Sequence, residues 1–375
     1  MKKLPIGLQN FKEIIERGYL YVDKTRQVFD LIDRGKLYFL SRPRRFGKSM
    51  LISILTYIFE GKKELFEGLY IAENTDYNWK AYPVLRFNFR YGYKCEPDRL
   101  EAAISYDLQA YGQKFGIKLP DTIFSIQLNT LVEQLSDKQG RVVILIDEYD
   151  KPIIDFIMDT EKAKANSDVL GSFFAAIRGL EAEGHIHFLL VTGVSKFGKM
   201  SMFSELNSLN DLTLSPEALN LTGITDDELA VYFDSYIQST AAHFNMTKEE
   251  LLKSMSSWYG GYSYDGETKL YNPSSIMSFF AQKRFGSFWF AVGTPTFLVE
   301  ATRNKSIAPK DFEQVEVGNT FFNEFSVEEF DMVGLLFQAG YLTINRIEYH
   351  GIEPHYFLDY PNKEVRVGFT NNLLE

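Results

Sequence analysis

The sequence predicts an α/β fold with a parallel sheet, followed by a mainly helical C-terminal region. Two stretches of the 375-residue chain carry this prediction. The apolar run 37–40 passes directly into residues 41–49, which read SRPRRFGKS, and the apolar run 142–146 ends in Asp147 and Glu148. Such continuous apolar runs are typical of strands buried on both faces of a parallel sheet, and their polar ends meet at one edge.

Residues 41–49 have the pattern of a phosphate-binding loop between a strand and a helix. Backbone N–H groups of such a loop surround a polyphosphate, so we expect Lys48 to reach the terminal phosphates and Ser49 to contact Mg²⁺. Arg42 occupies the place where the usual pattern has its first glycine. The residues expected to bind the nucleotide are Arg44, Arg45, Phe46, Gly47, Lys48, Ser49 and Met50.

The two acids after the second apolar run have separate expected roles. Asp147 is expected to hold Mg²⁺ together with Ser49, and Glu148 is expected to be the general base that polarises an attacking water. The alternative is a buried strand with a solvated acidic end and an unrelated glycine-containing turn. Because the loop and the acids occur together, the sequence favours a P-loop NTPase core. Hydrolysis further requires a correctly placed Glu148 and often an arginine from a partner.

Other segments complete the predicted sheet. Residues 84–89 alternate apolar and polar side chains as a strand does, and the apolar run 187–191 leads into Thr192 and Ser195. Thr192 is a candidate catalytic residue beside the attacked phosphate, and Ser195 is a second candidate. The alternative for each is an ordinary residue at a strand end. Helices are predicted near residues 99–111, 123–135 and 172–180.

The composition of the chain argues against several classes of function. The formal net charge of −10 argues against bulk, sequence-independent binding of nucleic acid. The chain has a single cysteine, Cys95, so an internal disulfide cannot form and a reducing, cytoplasmic location is expected. The sequence has neither a signal-peptide pattern nor an apolar window long enough for a membrane span, so no membrane association is expected.

The character of the chain changes near residue 221. Thr225 and Thr247 each precede a glutamate at the spacing of a capping box, and Asn272-Pro273 precedes an apolar helix. We therefore expect three parts: a core with an N-terminal extension, a helical domain with a short hairpin, and a helical or linker segment that includes a strand-like stretch at 340–344. The expected bounds are 1–220, 221–310 and 311–375.

A set of local motifs gives the chain a resemblance to a known family. The motifs span nearly the whole sequence: LPIG at 4–7, YVDKT at 21–25, RPRRFGKS at 42–49, LIDEYDKP at 145–152, TGVSKF at 192–197, WYGGY at 258–262, YNP at 271–273 and DYPNKEV at 359–365. Together they resemble the bacterial AAA-ATPase-like family. The resemblance implies a P-loop ATPase core followed by a helical or winged-helix-like region, and an arginine at position 42 as normal for the group.

The resemblance also implies roles for individual residues. Lys48 and Ser49 take the phosphate-loop roles, Asp147 the magnesium role and Glu148 the water-activating role. Asp23 is implied to shape an adenine pocket, with a helix cap together with Thr25 as the alternative.

Three arginines each have more than one possible role. Arg44 and Arg45 are candidates to contact phosphates, a neighbouring subunit or a nucleic-acid strand, or they belong to a solvated basic loop. Arg178 is a candidate inter-subunit arginine, with a surface helix arginine as the better interpretation. Many family members continue into a PD-(D/E)xK nuclease-like domain. The sequence ends before such a domain could fit, so either the protein lacks it or the sequence is a fragment of a longer protein, and no nuclease residue is assigned in it.

These observations lead to one function and one rival. The first is a Mg²⁺-dependent ATPase whose turnover moves the C-terminal region. ATP is favoured over GTP because no Asn-Lys-x-Asp string follows the acidic strand. The rival is a nucleotide-gated switch with little turnover, whose output is homo-oligomerisation or capture of a protein partner. Engagement of nucleic acid by Arg42, Arg44 and Arg45 is a further alternative that the net charge does not support.

Overall fold

A computed structural model describes residues 1–89, 96–196, 208–289, 308–322 and 332–374, with side chains described as far as residue 371. Cys95 and Phe197 lie outside the described residues.

The first half of the chain forms a five-stranded parallel sheet in the order β2-β3-β4-β1-β5. This confirms the predicted α/β class. The strand that ends in Thr192 lies between the strand that leads into the phosphate loop and the strand that ends in Asp147. The strands are β1 (Leu37–Ser41), β2 (Val84–Asn88), β3 (Val142–Asp147), β4 (Ile186–Gly193) and β5 (Asn210–Asp211).

Helices cover both faces of this sheet. On one face α5, α6 and α8 share an apolar cluster with alternate strand residues such as Phe87 and Ile144. On the other face α2 and α3 pack against the intervening residues, such as Val143 and Leu145. The helices of this half are α1 (Phe11–Glu16), α2 (Thr25–Arg34), α3 (Lys48–Phe59), α4 (Tyr70–Glu73), α5 (Pro97–Phe115), α6 (Phe124–Gln139), α7 (Lys151–Ile154) and α8 (Thr160–Ala182).

The second half begins with two helices that start where the sequence predicts and a third that starts at Pro273, three residues before the predicted apolar start at Ile276. The capping boxes of Thr225 with Glu228 and of Thr247 with Glu250 are both formed, and Asn272 accepts hydrogen bonds from the first backbone N–H groups of its helix. The helices of the second half are α9 (Asp226–Tyr232), α10 (Asp234–Phe244), α11 (Lys248–Tyr259), α12 (Pro273–Gln282), α13 (Met332–Ala339) and α14 (Lys363–Leu374). Short 3-10 helices occupy Lys63–Phe66, Pro216–Ala218, Pro309–Phe312 and Asn319–Phe322.

The last part contains more strand than the sequence indicates. An antiparallel sheet in the order β6-β8-β7 is built from β6 (Val315–Gly318), β7 (Thr343–His350) and β8 (Glu353–Asp359). The strand-like stretch expected at 340–344 begins only at Thr343, because Gly340 lies in a turn at φ +88°. Most of β7 is exposed and polar, so it lacks the apolar run by which a buried strand is found.

The two halves share one apolar core. Val365 and Phe369 of α14 belong to the same buried cluster as Phe39 of β1 and Ile146 of β3. The division of the chain at residues 220 and 310 stays a prediction. Among the described residues, no helix combines the length and the apolar character that a membrane crossing requires.

Candidate functional site

The phosphate loop turns sharply between β1 and α3. Arg45 at φ +60° and Gly47 at φ +103° are both left-handed, and Gly47 precedes the first turn of α3. No described side chain caps that turn, so its backbone N–H groups are left for another acceptor. The positive end of the helix dipole adds to them, and this local geometry suits a phosphate group.

Lys48 lies against its own loop. Its Nζ donates to the carbonyl oxygens of Arg42 at 2.7 Å and Pro43 at 3.0 Å, and the residue is only 5% exposed. Burial lowers the pKa of Lys48, while the charges of Glu148 and Asp147 oppose that shift. The predicted loop lysine and the two predicted acids are therefore close enough to interact.

Arg42 turns away from the loop's interior. Its guanidinium donates to the carbonyls of Ser41, Thr213 and Ala218 and lies over the ring of Tyr264 at 3.8 Å from the ring centre. Arg42 is only 1% exposed, so the structure contradicts the alternative in which it engages a nucleic-acid strand. The arginine at the first-glycine position is instead an anchor that fixes the loop to distant parts of the chain.

Asp147 is fully buried at the end of β3. The hydroxyl of Thr192 donates to its Oδ1 at 2.9 Å, because β4 runs directly beside β3. The second oxygen, Oδ2, is buried and has no hydrogen-bond partner among the described residues. Since a buried carboxylate oxygen is normally hydrogen-bonded, this unsatisfied acceptor fits an Mg²⁺ ion or one of its waters as the missing partner.

A cavity of about 520 Å³, a volume suited to a small-molecule ligand, opens at the phosphate loop, whereas the buried residues Asp147 and Thr192 are absent from its wall. Of the predicted site residues it is lined by Arg44, Arg45, Phe46, Gly47, Lys48, Ser49, Met50 and Glu148. Most of the remaining wall comes from segments 5–9, 20–22 and 221–224 and from the start of α12, and single residues such as Lys24, Lys151 and Phe233 complete it. The phosphate loop thus borders a pocket whose other walls are largely apolar.

Comparisons with known proteins assign the chain to a family. The family described as "Predicted AAA-ATPase" matches residues 5–203, which is more than half of the chain. The chain belongs to this AAA-ATPase-like family. An Azotobacter chroococcum protein described as "Uncharacterized protein in vnfD 5'region" is 36% identical over the whole chain, which covers 70% of that relative. Membership of the family supports the binding of a nucleotide, and in general terms the binding of ATP.

A solved structure also resembles this AAA-ATPase-like chain. The ORC1 protein of Aeropyrum pernix, determined in complex with DNA, aligns over 93% of this chain and 91% of its own. The sequence identity is 11% and the TM-score is 0.32.

Asp23, unlike the loop residues, is absent from the wall of the cavity. Its two carboxylate oxygens accept the backbone N–H groups of Thr25 and Tyr70, each at 2.8 Å. The carboxylate therefore holds the starts of α2 and α4, in agreement with the capping alternative. The neighbouring residues Leu20, Tyr21 and Val22 line the cavity instead.

Sequence reasoning missed Asp150 in this AAA-ATPase-like site. Asp150 is buried, and its Oδ2 accepts the backbone N–H groups of Val194 at 2.9 Å and Ser195 at 2.6 Å. Burial is the main cause that raises the pKa of Asp150 to about 6. Ser195, the second candidate beside the phosphate, thus contacts Asp150 through its backbone N–H. The available signal was the position of Asp150 within the family-like motif 145–152.

The described residues contain no cluster of three or more His, Cys, Asp or Glu side chains that could hold a metal ion by themselves. Mg²⁺ in nucleotide enzymes is held by one or two protein oxygens, substrate phosphates and water rather than by a complete protein cage. Ser49 and Asp147 would supply the protein oxygens.

Proposed function

We propose that this protein is a Mg²⁺-dependent ATPase whose turnover changes the position of its C-terminal region. One observation carries the proposal: the start of α3, Lys48 and Glu148 border one cavity, and Lys48 also interacts with Asp147, which has a buried oxygen without a hydrogen-bond partner among the described residues. This arrangement supports the proposal, because phosphoryl transfer requires such groups around one nucleotide.

The phosphates would lie against the phosphate loop. Backbone N–H groups of α3 and the ammonium group of Lys48 would bind them, with Lys48 exchanging its two loop carbonyls for phosphate oxygens. Mg²⁺ would be held by Ser49 and Asp147, and when bound it neutralises charge on the phosphates. The apolar end of the cavity, including Leu20 and Phe233, would enclose the base.

The reaction is the hydrolysis of ATP to ADP and phosphate. A water oxygen attacks the γ-phosphorus, the bond from that phosphorus to the β–γ bridging oxygen breaks, and ADP leaves. Glu148 would accept a proton from the attacking water. The left-handed backbone of Glu148, at φ +53°, supports this role, because strained conformations of non-glycine residues are concentrated at functional sites.

Turnover of purified protein with Glu148→Gln tests this assignment. The variant should bind ATP as the wild type does and release phosphate at least about 100-fold more slowly, since general bases contribute roughly 10²–10⁴-fold. Glu249→Gln, an exposed change on α11, is the matched control and should keep the wild-type rate. Undiminished phosphate release by Glu148→Gln would remove this residue from the role.

Contacts between the loop and the second half of the chain support coupling. The ring of Phe46 meets that of Tyr262 edge to face at 5.1 Å, and the indole Nε1 of Trp289 donates to the Arg44 carbonyl at 3.1 Å. At Gly340, a side chain would come within 2.6 Å of Pro43. A loop that rearranges around phosphates would therefore move groups in the C-terminal region.

The same contacts favour the second candidate, a nucleotide-gated switch with little turnover. Its output would be a homo-oligomer or a complex with a protein partner. Size-exclusion chromatography with ATP and with ADP, run beside a phosphate-release assay, separates the two functions. A change of size on ATP addition without phosphate release supports the switch. A cytoplasmic location is part of the proposal, and nucleic-acid binding stays the least supported partner prediction.

A further inference from the structure

Lys151 is a cation in the cavity wall that the roles above leave unused. It is the first residue of α7, and its backbone N–H donates to the Glu148 carbonyl at 3.1 Å. Both residues line the cavity, together with Lys48 and Ser49 of the phosphate loop. Besides Lys48 and Lys24, which is paired with Glu228, Lys151 therefore borders the cavity, and it does so beside the proposed general base, where the terminal phosphate would lie.

The present partner of Lys151 is a carboxylate close to it in the chain. Its Nζ pairs with Asp155, four residues further along the chain, and the side chains are 25% and 12% exposed. Because this pair is mostly buried, the ammonium group leaves the carboxylate only in exchange for another anionic partner, such as a phosphate oxygen. In the structure Lys151 therefore lies at the cavity wall in an ion pair with Asp155.

Charged groups of both signs surround Lys48. It interacts with the carboxylates of Glu148, Asp147 and Asp150 and with the like charge of Arg44. Phosphoryl transfer needs additional positive charge on the equatorial oxygens in the transition state, and ATPases commonly use an arginine from the same chain or a partner.

Resting on the proposed ATPase function, we propose that Lys151 supplies this charge from the same chain. Its Nζ leaves Asp155 and donates to an oxygen of the γ-phosphoryl group as the bond to ADP breaks. Arg44 and Arg45 also border the cavity, but they belong to the phosphate loop, whereas Lys151 shares a turn with Glu148. The chain would then contain its own counterpart of an arginine finger.

The test compares Lys151→Met with Asp155→Asn. Loss of one preorganised donor to a transition state costs about 10²–10³-fold in kcat. Lys151→Met should show this loss while binding a fluorescent ATP analogue as the wild type does, and Lys151→Arg should recover part of the rate. Asp155→Asn should keep or raise kcat, because it frees the lysine. Lys253→Met, exposed on α11, is the control and should leave kcat unchanged.

The outcomes distinguish this inference from the proposed function. If the wild type turns over ATP and Lys151→Met does so equally fast, the inference is wrong and the ATPase proposal stands. If Lys151→Met and Asp155→Asn lose kcat equally, the ion pair is structural and the inference is again wrong. A wild type that does not hydrolyse ATP overturns both.

Mixing two inactive variants tests whether Lys151 acts within its own chain. Lys151→Met and Glu148→Gln subunits each lack one of the two groups. If both groups must come from one chain, the mixture stays inactive, as the proposal expects. Activity restored by mixing would show that Lys151 acts on a neighbouring subunit and would contradict the proposal.

Discussion

The hydroxyl of Thr192 donates to one carboxylate oxygen of Asp147 at 2.9 Å, and the other oxygen of Asp147 has no hydrogen-bond partner among the described residues. This relationship follows from the sheet order, because β4 lies between β3 and the strand that leads into the phosphate loop. The threonine hydrogen bond holds one oxygen of the carboxylate, and under the proposed function the other oxygen would accept from a metal-bound water.

Thr192→Val should weaken the dependence on Mg²⁺ without preventing folding. Valine keeps the shape of threonine and removes the donor, and a hydrogen bond to a charged group is worth about 1.5–3 kcal/mol. We expect the Mg²⁺ concentration for half-maximal turnover to rise roughly tenfold or more. ATP-analogue binding in EDTA should stay unchanged. Thr130→Val on α6 is the control, and an unaltered Mg²⁺ titration for Thr192→Val contradicts this role.

Gly193→Ala should disturb the site through crowding. A Cβ at this position would lie 2.6 Å from a ring carbon of Tyr149 and 2.9 Å from Oδ1 of Asp150, so the turn that carries Glu148 must shift. We expect a loss of about 1–3 kcal/mol in the free energy of unfolding, and kcat should fall more than ATP affinity.

Gly179→Ala is the matched control for that change. Gly179 lies in α8, and a Cβ there meets nothing within 4 Å. Alanine is favoured over glycine in a helix by about 0.5–1 kcal/mol, so this variant should be slightly more stable and fully active. Equal behaviour of the two variants in chemical denaturation would show that the crowding at Gly193 has no consequence.

Glu364 should make the stability of the protein depend on pH. Burial is the main cause that raises the pKa of Glu364 from 4.5 to about 7, while Trp289 N and Ser275 Oγ donate to its oxygens at 2.7 Å. Because the folded pKa is the higher one, this stabilising contribution is complete below about pH 4.5 and is lost as the pH rises through about 7. The loss is on the order of 3 kcal/mol.

Glu364→Gln should remove this pH dependence. Glutamine can accept from the Trp289 N–H and donate to the Ser275 hydroxyl, so it replaces the neutral acid closely. Urea denaturation at pH 5 and pH 8 should show a smaller difference for the variant, with the variant the more stable protein at pH 8. Parallel pH profiles for the two proteins would rule out Glu364 as the cause.

Arg42→Met should destabilise the fold rather than improve nucleotide binding. The change leaves the carbonyls of Thr213 and Ala218 without their donor and removes the stacking on Tyr264. Each buried group that loses its partner costs about 1–3 kcal/mol, so the free energy of unfolding should fall by at least about 2 kcal/mol.

Arg366→Met is the control, because Arg366 is 61% exposed and its pair with Glu313 is a surface ion pair. Its effect on the free energy of unfolding should be at most about 1 kcal/mol. Equal effects of the two arginine changes in urea denaturation would contradict the anchoring role of Arg42.

The sequence predicts those parts of the site whose residues are neighbours in the chain. A strand, a loop and a helix carry Lys48 and Ser49, and a single apolar run delivers Asp147 and Glu148, so pattern and spacing suffice. The direction of Arg42, the bonds of Asp23 and the role of Asp150 depend on residues that are distant in the chain. Their partners, such as Tyr264, Tyr70 and Val194, become neighbours only in the fold.

The strands of the C-terminal sheet are also not predicted by the sequence pattern. The strand β7 is mostly exposed, and β6, which pairs with β8 on the other side, alternates apolar and polar residues over only four positions, so no long apolar pattern marks this sheet. The helices α9 and α11 were predictable because their capping boxes are complete within four residues of sequence.

The central claim is that Lys48 and Asp147 serve one metal-bound triphosphate. The most direct measurement is a titration of the protein with a fluorescent ATP analogue, with Mg²⁺ and with EDTA, for the wild type, Lys48→Ala and the exposed control Lys253→Ala. The account predicts saturable binding that Mg²⁺ strengthens for the wild type and the control, and loss of that binding for Lys48→Ala. Wild-type affinity in Lys48→Ala would contradict the account.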